Sequence, residues 1–359
     1  MFPFSGIVGQ DDAKLALAIA AVDPGMGGVL LSGMKGTGKS TLVRSFADIL
    51  PDRKVVENCP YGCEGVNDGF LCDDCGKALK DGNLPDPISL RPELITVPLG
   101  VTEDRLLGTI DVELLLREGV QKFQPGLMAR ANNQVLYVDE VNLLPDNITD
   151  DVLDACASGF NTVEREGVSV THPARFILIG TMNPEEGNLR PQILDRFAMS
   201  VDIRTERDPG MRIEIIERTL AYESDRKRFS RAHEKAVLRL RKTISTARSR
   251  LHDVKLPSAA IETVAEAMSE LNVDGQRPDL VMIRAAIAWT ALEDKPEVNS
   301  EALLKVAPLC VCHRTRSGGM NQPPSREELI EQVKTQATRI WKSNSGSYYD
   351  PETILTDRD

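Results

Sequence analysis

The segment from Gly33 to Ser40 has the residue spacing of a phosphate-binding loop. It reads Gly33-x-x-x-x-Gly38-Lys39-Ser40, and it lies between an apolar run and a helical pattern. Glycines let backbone N–H groups turn toward phosphate oxygens, the following helix points its positive end at the same anion, and a lysine adds a cation. The sequence therefore predicts a phosphate site with the Ser40 hydroxyl on Mg²⁺. The predicted nucleotide-binding residues here are Gly33, Gly36, Thr37, Gly38, Lys39, Ser40 and Thr41.

A second segment ends in two adjacent acids. Val135-Leu136-Tyr137-Val138 is an apolar, mostly β-favouring run, and Asp139 and Glu140 follow it directly. A central parallel strand delivers such acids to the carboxyl edge of a sheet. There Asp139 is expected to hold Mg²⁺ through its water shell and Glu140 to polarise the attacking water. An acid directly after the magnesium acid favours hydrolysis over transfer to a second substrate.

Further polar residues are candidates for sensing or stabilising a triphosphate. Asn183 follows a strand pattern and is expected to position the attacking water or sense the γ-phosphate. Arg196 lies in Asp195-Arg196-Phe197 after a short helical segment, where it either reaches the γ-phosphate of a neighbouring subunit or forms a salt bridge within its own chain. Arg277 opens a helical segment and is a candidate sensor of the bound nucleotide, with Arg284 as the alternative.

Two cysteine pairs stand in a polar loop. Cys59-x-x-x-Cys63 and Cys72-x-x-Cys75 lie in CPYGCEGVNDGFLCDDCG, which offers few residues for a hydrophobic core. This spacing suits a tetrahedral thiolate site, and a structural zinc ion is the simplest occupant. An iron–sulfur cluster, redox-active thiols and unliganded cysteines are the alternatives.

The periodicity of the chain predicts which elements carry these residues. Residues 1–205 alternate strand and helix signals, which indicates an α/β domain with a parallel five-stranded sheet and flanking helices. The predicted strands are Val29–Ser32, Leu94–Pro98, Val135–Asp139, Arg175–Gly180 and Ser200–Ile203. After Asp208-Pro209 the pattern becomes almost wholly helical, with helices expected at 210–224, 231–252, 258–272, 278–293 and 299–314. We expect a linker helix at 206–230, an all-helical domain at 231–316 and a tail at 317–359.

Composition and charge exclude several classes of function. The 359 residues carry a net charge of −11, so general affinity for nucleic acid is not expected. No apolar run reaches the length of a membrane span, the start lacks the pattern of a signal peptide, and seven cysteines favour a reducing cytoplasmic location. One segment, 226–250, is locally basic. Its stripe predicts either a docking face for an acidic partner or a solvated helix face: Arg228, Arg231, Lys235, Arg239 and Lys242.

Many segments together resemble one known family. They are AVDPGMGGVLLSGMKGTGKST, VPLGVTEDRLLGTID, FQPGLMARAN, LYVDEVNLLPD, ASGFNTVEREGVSVTHPARFILIG, NPEEGNLRPQILDRF and HRTR. The chain resembles the small ATPase subunit of magnesium chelatase, in the helix-2-insert branch of the AAA+ superfamily. The resemblance covers roughly residues 2–316 in consistent order.

The resemblance implies a function and partners. It implies an ATP-hydrolysing hexameric ring that drives insertion of magnesium or cobalt into a tetrapyrrole held by a large porphyrin-binding subunit. A third subunit, with an ATPase-like module and an adhesion domain, is expected between them. The resemblance also implies that 231–316 is the lid, that 97–119 is the helix-2 insertion and that 161–170 is a β-hairpin. The alternative is a related MoxR-like ring ATPase that remodels a protein partner.

Overall fold

The computed structural model describes residues 1–64, 71–110, 117, 123–165, 168–343 and 347–349. The strands are β1 (Val29–Ser32), β2 (Arg53–Val56), β3 (Pro87–Leu90), β4 (Leu94–Val97), β5 (Gly108–Ile110), β6 (Phe123–Pro125), β7 (Val135–Val138), β8 (Phe160–Arg165), β9 (Val168–Pro173), β10 (Ile177–Met182) and β11 (Met199–Asp202). The helices of the first part are α1 (Asp11–Val22), α2 (Lys39–Phe46), α3 (Asp73–Lys80), α4 (Glu103–Leu107), α5 (Leu127–Arg130), α6 (Asp146–Ser158) and α7 (Pro191–Leu194). Those of the second part are α8 (Pro209–Ser224), α9 (Arg226–Arg250), α10 (Ser258–Glu270), α11 (Arg277–Leu292), α12 (Ser300–Val311) and α13 (Arg326–Ser343).

The predicted five-stranded parallel sheet is confirmed. Its strand order is β11-β1-β10-β7-β4, and every neighbouring pair is parallel. The three central strands β1, β10 and β7 are buried along their whole length, as expected for apolar runs covered by helices on both faces. Because all strands run the same way, one edge of the sheet collects the residues that follow strands, and the opposite edge collects the residues that precede them.

Three antiparallel pairs lie outside this sheet. The β2–β3 pair brackets the cysteine-rich segment, the β5–β6 pair brackets residues 111–122, and β8 pairs with β9 as expected for a hairpin. The predicted turn at Glu166 and Gly167 lies outside the described residues, as do residues 111–116 and 118–119 of the predicted insertion.

Two helices of the helical part begin with recognisable caps. The Asp208 carboxylate accepts a hydrogen bond from the Met211 N–H at 2.8 Å, Pro209 occupies the first turn of α8, and the Asp225 carboxylate caps α9 through the Arg228 N–H at 2.9 Å. Helices α10 to α13 pack against one another and share a continuous apolar core with α1 and one face of the sheet. No helix among the described residues has the length and apolarity to cross a membrane.

Candidate functional site

The loop between β1 and α2 has the backbone of a phosphate cradle. Gly36 and Gly38 adopt φ angles of 84° and 85°, in the left-handed region that favours glycine. At Gly33, a Cβ atom would stand 2.3 Å from the carbonyl oxygen of Ile203, so only glycine fits. The spacing of glycines in the sequence therefore reflects two backbone turns and one close approach of chain segments.

Lys39 is folded back onto this loop. Its Nζ donates hydrogen bonds to the carbonyl oxygens of Gly33 and of Met34, the latter at 2.8 Å. Burial lowers the pKa of Lys39, while the carboxylates of Asp139, Glu140 and Glu186 act in the opposite direction. These three acids therefore lie close enough to affect the lysine electrostatically, and phosphate oxygens can take the place of the two carbonyl acceptors.

The acid pair follows β7 at the same edge of the sheet. Both acids are half-buried, and Asp139 Oδ1 accepts hydrogen bonds at 2.7 Å from the hydroxyl of Tyr137 and at 2.7 Å from the hydroxyl of Thr181. The Thr181 oxygen also accepts the backbone N–H of Glu140 at 3.3 Å. Glu140 itself has a φ of 54°, a left-handed conformation that is uncommon for a residue with a side chain. Two hydroxyls thus fix the orientation of the predicted magnesium acid.

Sequence reasoning missed Tyr137 and Thr181. Tyr137 is fully buried, and burial raises its pKa to about 12, with the Ser40 hydroxyl acting in the opposite direction, so the phenol keeps its proton at neutral pH. The parallel register aligns Ile179 with Tyr137 and Gly180 with Val138, which places Thr181 opposite Asp139. Two polar side chains in otherwise apolar strands were the available signal, but their pairing depends on the strand order.

Asn183 lies at the same edge, directly after β10. Its side chain is buried, and its Oδ1 accepts the backbone N–H of Glu185 at 3.3 Å, which caps a short 3₁₀ turn. Asn142, just after the acid pair, donates to the carbonyl oxygens of Asn183 at 3.4 Å and of Gly187 at 3.1 Å. The structure thus gathers Ser40, Asp139, Glu140 and Asn183 at one edge of the sheet.

A cleft of about 1230 Å³ continues from the phosphate loop. Gly36, Thr37, Gly38 and Thr41 form one wall, and Ile7 and Val8 of the amino-terminal segment and Tyr222 of α8 belong to other walls. Gln10 ties this segment to the loop, because its Nε2 donates to the Thr37 carbonyl oxygen at 2.7 Å. The cleft has both a polar end for phosphates and apolar walls for a base.

Arg196 lies at the opposite edge of the sheet. It precedes Met199, which pairs with Val29 at the start of β1, whereas the phosphate loop follows the end of β1. Its guanidinium is paired with Asp150 at 2.9 Å and with Asp154 at 3.1 Å on α6. In an isolated chain it therefore makes the salt bridges expected as the alternative, and it is not brought to the nucleotide cleft of its own chain.

The two candidate sensor arginines also lie at this opposite edge. Burial lowers the pKa of Arg277, the charge of Arg314 acts in the same direction and the charge of Asp195 acts in the opposite direction. Because these charges act at short range, Arg277 lies near the segment that carries Arg196. Arg284 donates to the Asp23 carboxylate at 2.6 and 2.8 Å and to the Gly25 carbonyl oxygen at 2.9 Å, just before β1. The structure therefore does not bring Arg277 or Arg284 to the phosphate loop of their own chain.

The four cysteines converge. The sulfur atoms of Cys59, Cys63, Cys72 and Cys75 all lie within 4.8 Å of one another, and those of Cys59 and Cys72 are 3.8 Å apart. A tetrahedral zinc site with Zn–S bonds of about 2.3 Å requires sulfur–sulfur distances of about 3.8 Å. Hydrogen bonds from the Cys63 and Cys72 thiols lower the pKa of Cys59, and burial raises the pKa of Cys75 to about 12. Four sulfur atoms at these distances form a donor set that fits a divalent cation.

The cysteine cluster is attached to the rest of the chain at the amino edge of the sheet. The Asn132 side chain donates to the Tyr61 carbonyl oxygen at 3.0 Å, just ahead of β7. The Tyr61 ring stacks on His172 of β9 with ring centroids 5.2 Å apart. The cluster therefore lies at the edge opposite Lys39 and contacts the β8–β9 hairpin.

Strand order and site together place the chain in the AAA+ class of ATPases. The phosphate loop follows the second strand from one edge, the acid pair follows a strand two positions away, and β10, which Asn183 follows, lies between them. The AAA lid domain model matches residues 261–334, within the helical part.

Comparison with known proteins gives the family. The family model for magnesium chelatase, subunit ChlI, matches residues 3–61 and 112–192. Magnesium-chelatase subunit ChlI of Euglena gracilis is 44% identical over 334 residues, which cover 93% of this chain and 96% of the relative. The chloroplastic subunit ChlI-1 of Arabidopsis thaliana is 46% identical over 316 residues, covering 88% and 74%. The chain belongs to the family of magnesium-chelatase subunit ChlI, the ATPase subunit, and not to the MoxR-like alternative.

Solved structures agree with this assignment. A cryo-EM-based model of the complex between subunits BchI and BchD of magnesium chelatase contains a chain with 42% identity and a TM-score of 0.52, covering 93% of this chain and 99% of that one. A putative ATPase from Cytophaga hutchinsonii has a TM-score of 0.58 at 16% identity, a likeness of fold alone.

Proposed function

We propose that this chain forms a hexameric ring in which each ATP is hydrolysed between two copies. The observation that carries the proposal is the separation of the site residues between opposite edges of the sheet. Ser40, Asp139, Glu140 and Asn183 follow strands, whereas Arg196 precedes β11 and Arg277, at the start of α11, lies near the segment that carries Arg196. An arginine at the second edge can contact a γ-phosphate only if that nucleotide belongs to a neighbouring copy.

Each residue has a defined role in this proposal. The backbone N–H groups of residues 33–41 and Lys39 bind the phosphates, and Ser40 and Asp139 hold the Mg²⁺ that accompanies ATP and neutralises phosphate charge. Glu140 accepts a proton from the attacking water, which Asn183 orients. Arg196 of the next copy stabilises the charge of the transition state, and Arg277 of that copy senses the nucleotide.

A subunit-mixing experiment tests the shared site. Arg196→Ala should bind ATP and hydrolyse it poorly, and Lys39→Ala should lose productive binding. A mixture should regain activity at interfaces where an intact phosphate loop meets an intact arginine. If mixed rings form, as measured by native mass spectrometry of differently tagged copies, and no activity returns, the arginine does not act in trans. The same mass spectra count the copies per ring.

The work of hydrolysis would be used by partner subunits. We propose that the ring drives magnesium insertion into a tetrapyrrole, with an adhesion-domain subunit between it and the large porphyrin-binding subunit. Support comes from the names of the relatives and from the BchI–BchD complex that contains a similar chain. Optical detection of metalloporphyrin, with magnesium compared with cobalt, tests the metal. Formation of product only with cobalt would refute the assignment.

We propose that the cysteine cluster holds one structural zinc ion in a reducing, cytoplasmic compartment. A divalent cation would let the remaining thiols ionise, which the crowding of four sulfurs otherwise opposes. Cys72→Ser should release zinc, measured by elemental analysis as about one ion per wild-type chain, and should loosen the loop more than it slows ATP hydrolysis. Cys156→Ser, which changes a buried cysteine of α6 away from the cluster, is the matched control. Iron with visible absorption, or zinc retained by Cys72→Ser, would contradict the proposal.

A further inference from the structure

The residues that follow α12 include an arginine that the nucleotide site does not explain. The side chain of Arg314 is fully buried, at 0% exposure, which is rare for arginine. A guanidinium has five N–H donors, and burying any of them without an acceptor is costly. The acceptors of this group therefore indicate what the arginine holds.

All acceptors but one belong to the segment 195–198. Nη1 donates to the Asp195 carbonyl oxygen and, at 2.9 Å, to the Asp195 carboxylate. Nη2 donates to the carbonyl oxygens of Phe197 at 2.8 Å and of Ala198 at 3.4 Å, while Nε donates to the carbonyl oxygen of Cys310 near the end of α12 at 3.1 Å. The neighbouring His313 adds a hydrogen bond between its Nε2 and the Phe197 carbonyl oxygen at 3.1 Å.

This segment carries Arg196 in its middle. The backbone on both sides of Arg196 is bound by Arg314, but the Arg196 side chain is directed to α6, where it is 34% exposed. Its partners Asp150 and Asp154 are 46% and 68% exposed, so these ion pairs contribute little free energy and can be exchanged for a phosphate. The backbone of Arg196 is therefore fixed, while its side chain can exchange Asp150 and Asp154 for a phosphate.

We propose that Arg314 is a positioning residue that fixes the backbone of Arg196, so that the lid presents the Arg196 side chain to the nucleotide of the neighbouring copy. The inference rests on the shared active site proposed above. It predicts that an Arg314 defect acts on the neighbour's nucleotide and not on the nucleotide of the same chain.

The chain offers a matched control two residues away. Arg316 is also an arginine after α12, but it pairs with Glu328 at 2.7 Å and with the Gln322 carbonyl oxygen at 2.7 Å, away from the segment 195–198. Arg314→Met and Arg314→Lys should each lower kcat for ATP about tenfold or more with KM little changed, because a lysine cannot reproduce the forked donors. Arg316→Met should leave both parameters close to those of the wild type.

Subunit mixing gives the decisive readout. Mixed with Lys39→Ala, the Arg314 variants should regain turnover, because the Lys39→Ala copy supplies an intact Arg196 to their intact phosphate loops. Mixed with Arg196→Ala, they should regain nothing. A variant that merely fails to fold would recover activity with neither partner. Arg314→Lys keeps the positive charge, so it still tests the inference if Arg314→Met does not fold.

The opposite pattern would overturn the inference. Recovery with Arg196→Ala but not with Lys39→Ala would mean that Arg314 acts on its own nucleotide site, and wild-type kcat in both variants would mean that it positions nothing. Folded rings of Arg314→Lys that recover with neither partner would likewise refute it. If Arg196→Ala and Lys39→Ala recover together while the Arg314 variants do not, only this inference fails. If that reference pair does not recover, the shared active site fails first.

Discussion

The hydroxyl of Thr181 offers a selective way to disturb Asp139, the proposed ligand of Mg²⁺. Its oxygen donates to Asp139 Oδ1 at 2.7 Å and accepts the Glu140 backbone N–H at 3.3 Å. Thr181→Val keeps the β-branched shape of a fully buried side chain while removing both hydrogen bonds. The substitution therefore leaves the fold of β10 in place and frees the Asp139 carboxylate to rotate.

The expected magnitude follows from the charge of the acceptor. A hydrogen bond to a charged group contributes about 1.5–3 kcal/mol, and about 1.4 kcal/mol corresponds to a tenfold change. Tyr137 still donates to the same oxygen, so part of the orientation survives. We expect kcat/KM for MgATP to fall by roughly tenfold to a hundredfold, with the magnesium concentration required for half-maximal turnover rising.

The assay is steady-state ATP hydrolysis over a series of magnesium concentrations. Thr162→Val is the control, because its hydroxyl pairs with that of Thr171 at 2.9 Å on the exposed surface of the β8–β9 hairpin. Both variants should have similar melting temperatures. A Thr181→Val chain with kcat/KM within about twofold of wild type would refute the idea that this hydroxyl orients Asp139.

Three other perturbations test separate parts of the structure. Glu140→Gln should retain nucleotide binding and lose about a hundredfold or more in turnover, and unchanged turnover would remove Glu140 from the mechanism. Burial and Arg314 lower the pKa of His313 to about 3. The unfolded chain binds a proton at this histidine near pH 6.5, and the folded chain does not. The free energy of unfolding should therefore fall by about 2 kcal/mol from about pH 7 to about pH 5. Denaturant unfolding should show a smaller loss in His313→Asn. Reversing the exposed Arg231, Lys235 and Arg239 to glutamate should spare basal ATPase and weaken chelation with the partner subunits, with wild-type coupling falling as salt rises; unaffected chelation would mean a merely solvated stripe.

Local sequence determined the chemistry of the separate motifs. Three candidate sites could be recognised because each is built by residues close in the chain, where backbone geometry follows from spacing: Gly33 to Ser40, the acids after β7 and the two cysteine pairs. The same holds for the strands and helices, since periodic burial along a segment sets its type. Asp208-Pro209 likewise marked the change from the α/β part to the helical part, because a cap and a proline begin a helix locally.

Tertiary structure decided which of these residues meet. The alignment of Thr181 with Asp139 depends on β10 lying beside β7, and the distance of Arg196 from its own phosphate loop depends on the common direction of β1 and β11. The hydrogen bond from Arg314 to the Asp195 carboxylate joins residues that are 119 positions apart in the chain. Such contacts are set by strand order and by the packing of the lid on the sheet, which are properties of the whole chain and are not encoded in any single segment.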